Sequence, residues 1–261
     1  MPHAIPREVI ELCENPQSHG PRWPGAELIP CDGFDVWLGP PIYPGLSVVL
    51  NLQTDDSKRV LGEARELLHE RGRTRANWMI GSSSPAHIPD DLLALGLTDD
   101  VDPVLRGLVA DREPDGVDRT IEVRRVDRVE QLHDFFRIQQ EAFGDDGHPP
   151  TPEGAAHIDA MYEAERERDD IVTYLAYLDG EPAATARGTF AAHGVVMNGG
   201  STLTRARGRG IYRALVAARW DDAVARGTPY LTTVARPSSA PILARMGLVE
   251  VCRVRVLNDA F

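Results

Sequence analysis

The sequence predicts an α/β (α+β) protein made of two related units, and three observations carry that prediction. From Arg119 onward, strand-like and helix-like segments alternate in a readable order. Asp179-Gly180 joins two of the strands with a strong hairpin turn signal. A turn crowded with glycine and arginine then leads from a strand straight into a helix, through Thr204-Arg205-Ala206-Arg207-Gly208-Arg209-Gly210.

Taken in order, residues 120–126 alternate as a strand, and 129–143 read as a helix with Leu132, Phe135, Phe136 and Ile138 at roughly helical spacing. Residues 144–150 (Gly-Asp-Asp-Gly-His-Pro-Pro) form a loop by composition, and 152–168 a second helix. Three strands follow at 171–178, 182–190 and 194–203. The helix after the glycine turn carries Ile211, Ala214, Leu215 and Ala218 on one face and stops at Gly227, a residue suited to the left-handed end of a helix. Residues 230–235 read as a strand, Ser239 can cap a short helix ending at Gly247, and the last strand runs over 248–257.

The first half reads as strand 47–52, helix 57–71, strand 76–80 and short helix 89–95 before Gly96-Leu97. That order recurs between residues 195 and 248, so the chain contains a degenerate internal repeat. The first copy's strand-to-helix turn, Gln53-Thr54-Asp55-Asp56, has no glycine and two aspartates. It would repel phosphate, so only the second half is expected to bind a phosphorylated cofactor. Residues 111–117 are polar with Pro and Gly and are expected to link a domain 1–112 to a domain 118–261.

Composition narrows the partners. The 261 residues are 42% hydrophobic and 26% charged, as in ordinary globular proteins. A net charge of −12 argues against nonspecific nucleic-acid binding and against docking on anionic membrane. Arg205, Arg207, Arg209 and Arg213 are a local exception, which suits a small phosphorylated ligand better than a polymer. Cys13, Cys31 and Cys252 are far apart and lack metal spacing, so neither a disulfide framework nor a metal is expected. The first 20 residues lack the apolar core of a signal peptide and the longest apolar run, near 46–50, is too short to span a bilayer. A cytoplasmic location is expected.

Glycines let backbone N–H groups approach a ligand, and a helix N-terminus adds aligned dipoles, so 204–212 form a nest for phosphate oxygens. A Walker A loop needs Gly-Lys-Ser/Thr, which is absent, and Arg213 stands where a dinucleotide fingerprint needs its third glycine.

Residues 199–216, together with 238–248, resemble the acetyl-CoA-binding core of the GNAT superfamily of N-acetyltransferases. The family pattern is Arg/Gln-x-x-Gly-x-Gly/Ala, then a helix, and later a short helix ending in Gly-Phe. Arg207-Gly208-Arg209-Gly210-Ile211-Tyr212 takes that register with Tyr212 in place of Gly or Ala, and Gly210 then opens the helix. A shift of two residues, Arg205 to Gly210, matches every letter, and both registers put Gly208 and Gly210 at the pyrophosphate. The resemblance covers about 120–257 and implies a GNAT fold, a mixed and mainly antiparallel sheet flanked by helices, after a smaller GNAT-like unit that has lost its phosphate nest. It also implies acetyl-CoA as co-substrate, with backbone of Thr202, Leu203 and Thr204 along the pantetheine and thioester. N–H groups of Arg207, Gly208, Arg209, Gly210, Ile211 and Tyr212 would cradle the pyrophosphate, and Ser239 is also assigned to the cofactor.

Transfer to an amine needs a route for the amine's proton and a proton for the departing thiolate. GNAT enzymes often use a Tyr four residues before the closing Gly for the second task. That position here is Leu243, which has no proton to give, although thiolates also leave unaided. Tyr212, Tyr230, Ser238 and Ser239 are candidate replacements, with packing or capping as the competing role of each. Glu141 and His148 are the first candidates for the base, with Asp145 and His193 behind them. Asp145-Asp146 would attract a cationic amine, or form a plain acidic loop. The resemblance thus implies acetyl transfer to a primary amine of a small molecule by direct attack, since no cysteine is placed for an acyl-enzyme. A catalytically silent acyl-CoA-binding sensor and a protein N-acetyltransferase are the alternatives, and the assembly is expected to be a monomer or homodimer.

Overall fold

The computed structural model describes residues 4–19, 23–143 and 151–261. They form two compact units: Met1–Val109 with Val234–Ala244 and Val249–Phe261, and Ala110–Thr233 with Arg245–Leu248.

The first unit opens with helix α1 (Arg7–Glu14) and the antiparallel pair β1 (Glu27–Cys31) and β2 (Phe34–Leu38). β3 (Ser47–Leu50), α2 (Ser57–Glu70), β4 (Arg75–Ile80) and α3 (Ile88–Ala94) follow, then β5 (Thr98–Ala110). The unit also holds the chain's last strand, which is antiparallel to both β4 and β5 and gives the order β1-β2-β3-β4-last-β5. β3 and β4 are parallel, as α2 crosses between them. Asp56 starts α2 by accepting the Arg59 N–H at 3.0 Å. Val60, Ala64 and Leu68 recur every four residues on its buried face and pack with Val49, Trp78 and Leu92. α1 lies against the last strand, where Gly107 of β5 is bare because Cys13 and Cys252 fill the space of a side chain.

The second unit contains β6 (Val123–Arg125), α4 (Val129–Phe143), α5 (Pro152–Glu165), β7 (Ile171–Leu178), β8 (Glu181–Ala191), β9 (Gly194–Thr202), α6 (Ile211–Ala225) and the first three residues of β10 (Leu231–Ala235), in sheet order β10-β9-β8-β7-β6. The β9–β10 pair is parallel, whereas β6 to β9 are joined antiparallel. The sheets are therefore mixed and mainly antiparallel, with helices packed on them. α7 (Ala240–Arg245) and β11 (Val249–Ala260) complete the chain. No helix among the described residues is long and apolar enough to cross a membrane.

Several sequence expectations change. The strand expected over 120–126 shrinks to β6, because Asp118 turns the chain by accepting the Thr120 N–H at 2.9 Å. α5 stops at Glu165, three residues early, and Arg168 then folds back to Asp170 at 2.6 Å. Ala218 is only half-buried, whereas Ile211, Ala214 and Leu215 are buried together with Val216, Ala217, Arg219, Trp220 and Ala223, so α6 is covered on more than the one expected face. Residues 249–261, expected in the domain 118–261, are packed in the first unit, since β11 pairs with β4 and β5 through long antiparallel registers. α1, β1, β2 and β5 are additional elements.

Candidate functional site

The site is built on the end of β9. Thr185 of β8 pairs with Ser201 and Arg187 with Asn198, so two β9 residues, Gly199 and Gly200, stand against Ala186 alone. Gly199 sits at φ 57°, and a side chain there would begin 2.8 Å from the Phe135 ring of α4. Its carbonyl accepts from Gln139 Nε2 at 2.6 Å and from Thr185 Oγ1 at 3.0 Å. Gly200 points to the opposite face, where a side chain would begin 3.2 Å from Cε2 of Tyr212. Two bare positions thus let α4 and α6 close on the strand from either side. Gly199→Ala combines a strained left-handed residue, about 1–3 kcal/mol, with overpacking of similar size. Its urea midpoint is expected to fall well below that of the wild type, whereas an unchanged midpoint would mean that α4 does not fix the bulge.

On its other edge β9 pairs with β10 only through Val195 and Val196. Beyond that point its backbone faces no paired strand within this unit, and the chain enters the Gly/Arg turn. Residues Thr204–Ala206 make one turn of 3₁₀ helix, Gly208 and Gly210 have φ 74° and 79°, and α6 begins at Ile211 with Gly210 as its N-cap. No hydrogen bond among the described residues takes up the N–H groups of Gly208, Arg209, Gly210, Ile211 or Tyr212. They are free donors at the positive end of a helix dipole. The arginines around them are held loosely: Arg207 Nε donates to the Thr202 carbonyl at 3.2 Å, Arg209 lies 3.9 Å from Asp179, and Arg213 reaches the Gly116 carbonyl at 3.5 Å. Exposed contacts of this kind contribute little, so the side chains can turn to a phosphate.

The sequence and the fold that carry this turn are similar to those of known proteins. Residues 108–235 match the family model of the acetyltransferase (GNAT) domain. The chain carries a GNAT acetyltransferase domain. No curated protein matches the sequence. Among solved structures, a GCN5-related N-acetyltransferase from Kribbella flavida is 17% identical with a TM-score of 0.69, over 98% of this chain and 96% of that one. A GCN5-related N-acetyltransferase from Sphaerobacter thermophilus (16% identical, TM-score 0.62) covers 87% of this chain and 76% of its own. A tandem GNAT protein from the clavulanic acid biosynthesis pathway (14%, TM-score 0.59) covers 99% and 90%. The fold is that of the GNAT proteins along nearly the whole chain.

The expected cofactor residues fall into two sets. Thr202 ends β9, and Thr204 to Tyr212 form the turn and the start of α6, all contiguous in the second unit. Leu203 is buried, its N–H donates to the Ala183 carbonyl and its own carbonyl accepts from Ala206. It fixes the turn and has little left for a ligand. Ser239 belongs to the first unit, where its hydroxyl and N–H both donate to the Arg236 carbonyl and start α7.

Of the acid candidates, only Tyr212 lies at the bulge. The Tyr230 carbonyl accepts from Val195 N–H at the far end of β9, about 16 Å from Gly200 at 3.3 Å per residue. Ser238 is exposed in the first unit, and Leu243 is buried in α7. Among the bases, His193 is exposed in the β8–β9 turn, also at the far end. Glu141 is exposed on α4, and two residues beyond Gln139 it cannot share the helix face that meets the bulge. Asp145 and His148 lie outside the described residues. No group of three His, Cys, Asp or Glu able to hold a metal occurs among the described residues.

Buried charges that the sequence did not single out support this frame. Arg187 of β8 is 2% exposed and pairs with Glu165 at 3.1 Å while stacking over Phe135 at 5.0 Å. Burial pushes the Glu165 carboxyl up, and Arg187 pulls it back. On the α6 face, Arg219 is 1% exposed. The signal available for the bulge was the Gly199-Gly200 pair inside a strand pattern.

In the first unit the equivalent place is filled. β3 and β4 pair only through Val48 and Val49, as β9 and β10 pair through two residues. Just past the strand ends, the Asn51 N–H donates to Asn15 Oδ1 at 3.1 Å, and Glu14 accepts from the N–H (3.0 Å) and hydroxyl of Ser82.

Proposed function

We propose that the protein transfers an acetyl group from acetyl-CoA to a primary amine of a small molecule, by direct attack in a ternary complex. The observation that carries this reading is the row of free N–H donors from Gly208 to Tyr212 at the end of a bulged strand. Pantetheine would lie along the unpaired edge of β9 near Thr202 and Thr204, with the pyrophosphate on the turn and Arg207 and Arg209 turned toward it. The amine nitrogen would bond to the acetyl carbon, the C–S bond would break, and water would carry away the amine's proton. We read 118–261 as the acetyl-CoA-binding domain, its closing strand packed in the first unit, and 1–112 as the degenerate copy. The acidic surface fits a protein of the cytoplasm that binds neither nucleic acid nor membrane, as a monomer or homodimer.

Calorimetry with acetyl-CoA is expected to give one site per chain, since Asn15 and Glu14 fill the first unit's cleft. Release of free CoA thiol in the presence of a panel of amines tests the transfer. Tight binding without turnover would favour the second reading, a silent acyl-CoA sensor, which the buried Leu243 at the usual acid position supports.

A further inference from the structure

Arg219 is fully buried, and no carboxylate among the described residues pairs with it. Its Nε donates to the Leu215 carbonyl at 3.0 Å and its Nη1 to the Arg187 carbonyl at 3.5 Å, but Nη2 has no hydrogen-bond partner. The phenols of Tyr212 and Tyr174 are near enough to interact with the guanidinium. Tyr174 is already committed, since its hydroxyl donates to Asp222, which also holds Arg125. Tyr212 is not. It lies two helical turns ahead of Arg219 on the same face of α6, and the long Arg219 side chain runs back toward it, as helical side chains do. The ring of Tyr212 occupies the space left by Gly200 in the bulge.

A buried guanidinium without an anion is costly, and the cost is relieved if an anion forms beside it. We infer that Arg219 is a positioning residue for Tyr212, and that Tyr212 supplies the proton to the departing thiolate in place of a tyrosine at position 243. The inference rests on the acetyl-CoA reading of the bulge. As the C–S bond breaks, its electron pair goes to sulfur, and sulfur takes the Tyr212 proton to give the free thiol. The phenolate left behind meets Nη2 of Arg219, an interaction strongest when the charge has formed. Its proton returns through water from the acylated amine.

The test compares the binding of CoA and of desulfo-CoA, which lacks the sulfur, in the wild type, Tyr212→Phe, Arg219→Lys and Arg219→Met, with circular dichroism to confirm folding. In the wild type CoA is expected to bind about 2–10-fold tighter than desulfo-CoA, the worth of one hydrogen bond to sulfur. The ratio is expected to fall to near one in Tyr212→Phe and Arg219→Met and to recover in part in Arg219→Lys. With an accepted amine, Tyr212→Phe lowers kcat by about 10²–10⁴-fold with little change in KM for acetyl-CoA. Adding Arg219→Met to it costs no further kcat, because the two act as a unit. If Arg219→Met does not fold, Arg219→Lys and Tyr212→Phe decide. A ratio unchanged in Tyr212→Phe, or independent losses in kcat, overturns the inference while leaving CoA binding intact. If the wild type binds neither compound, the acetyl-CoA reading itself falls.

Discussion

Gly210→Val is expected to abolish the rise in melting temperature that acetyl-CoA gives the wild type. At a hundredfold excess over Kd, a ligand stabilises the folded state by about 2.7 kcal/mol. At about 2–4 °C per kcal/mol for a chain of this size, the wild type should gain several degrees. Gly210 is in the left-handed region at φ 79°, where a β-branched residue is strained by about 1–3 kcal/mol. Space is not the obstacle, since a side chain there would first meet Ile121 Cδ1 at 3.6 Å. The backbone relaxes by turning its N–H groups away from the nest, so the unliganded protein melts a little lower and the ligand no longer raises it. Arg207→Glu with Arg209→Glu should remove the shift without strain, by placing negative charge beside the pyrophosphate. A full shift in these variants would move the pyrophosphate away from this turn.

Glu165→Ala is expected to cause the largest loss of stability, about 3–5 kcal/mol, because it leaves Arg187 charged and buried without its partner. The loss reaches the site as well, since Arg187 stacks on Phe135 and Phe135 bounds Gly199. Urea unfolding measures it. The double variant Glu165→Gln with Arg187→Met should recover much of the loss, because no unpaired charge remains buried. A single variant as stable as the wild type would mean that water already reaches the pair.

Local signals explain how much was legible in the sequence. α4 and β7 occupy their expected spans, because strong periodicity and turn residues bound both of them. The glycine turn was legible for the same reason, as its left-handed glycines and the start of α6 are contiguous in the sequence. β5 was hidden by its acidic start and by Pro103 and Gly107, which normally argue against a strand. In the structure Pro103 falls where β5 slips register against β11, between the pairs Arg255–Val104 and Leu257–Asp99. Pro30 disguised β1, and α1 is only eight residues long. Arg219 was illegible because an arginine on a helix normally faces solvent, and only the tertiary packing of α6 on β8 buries it. Glu141 followed the opposite course, being near the site in sequence but turned from it by helical geometry.

Asn15 and Glu14 belong to the same chain as the cleft they fill. Tethered groups act at an effective concentration of roughly millimolar or more, whatever is dissolved around them. A free cofactor approaching Asn51 and Ser82 would face a competitor that cannot diffuse away. On the proposed acetyl-CoA reading, the first unit is expected to stay closed however the acyl-CoA supply varies, and binding to each chain is expected to follow a simple hyperbola.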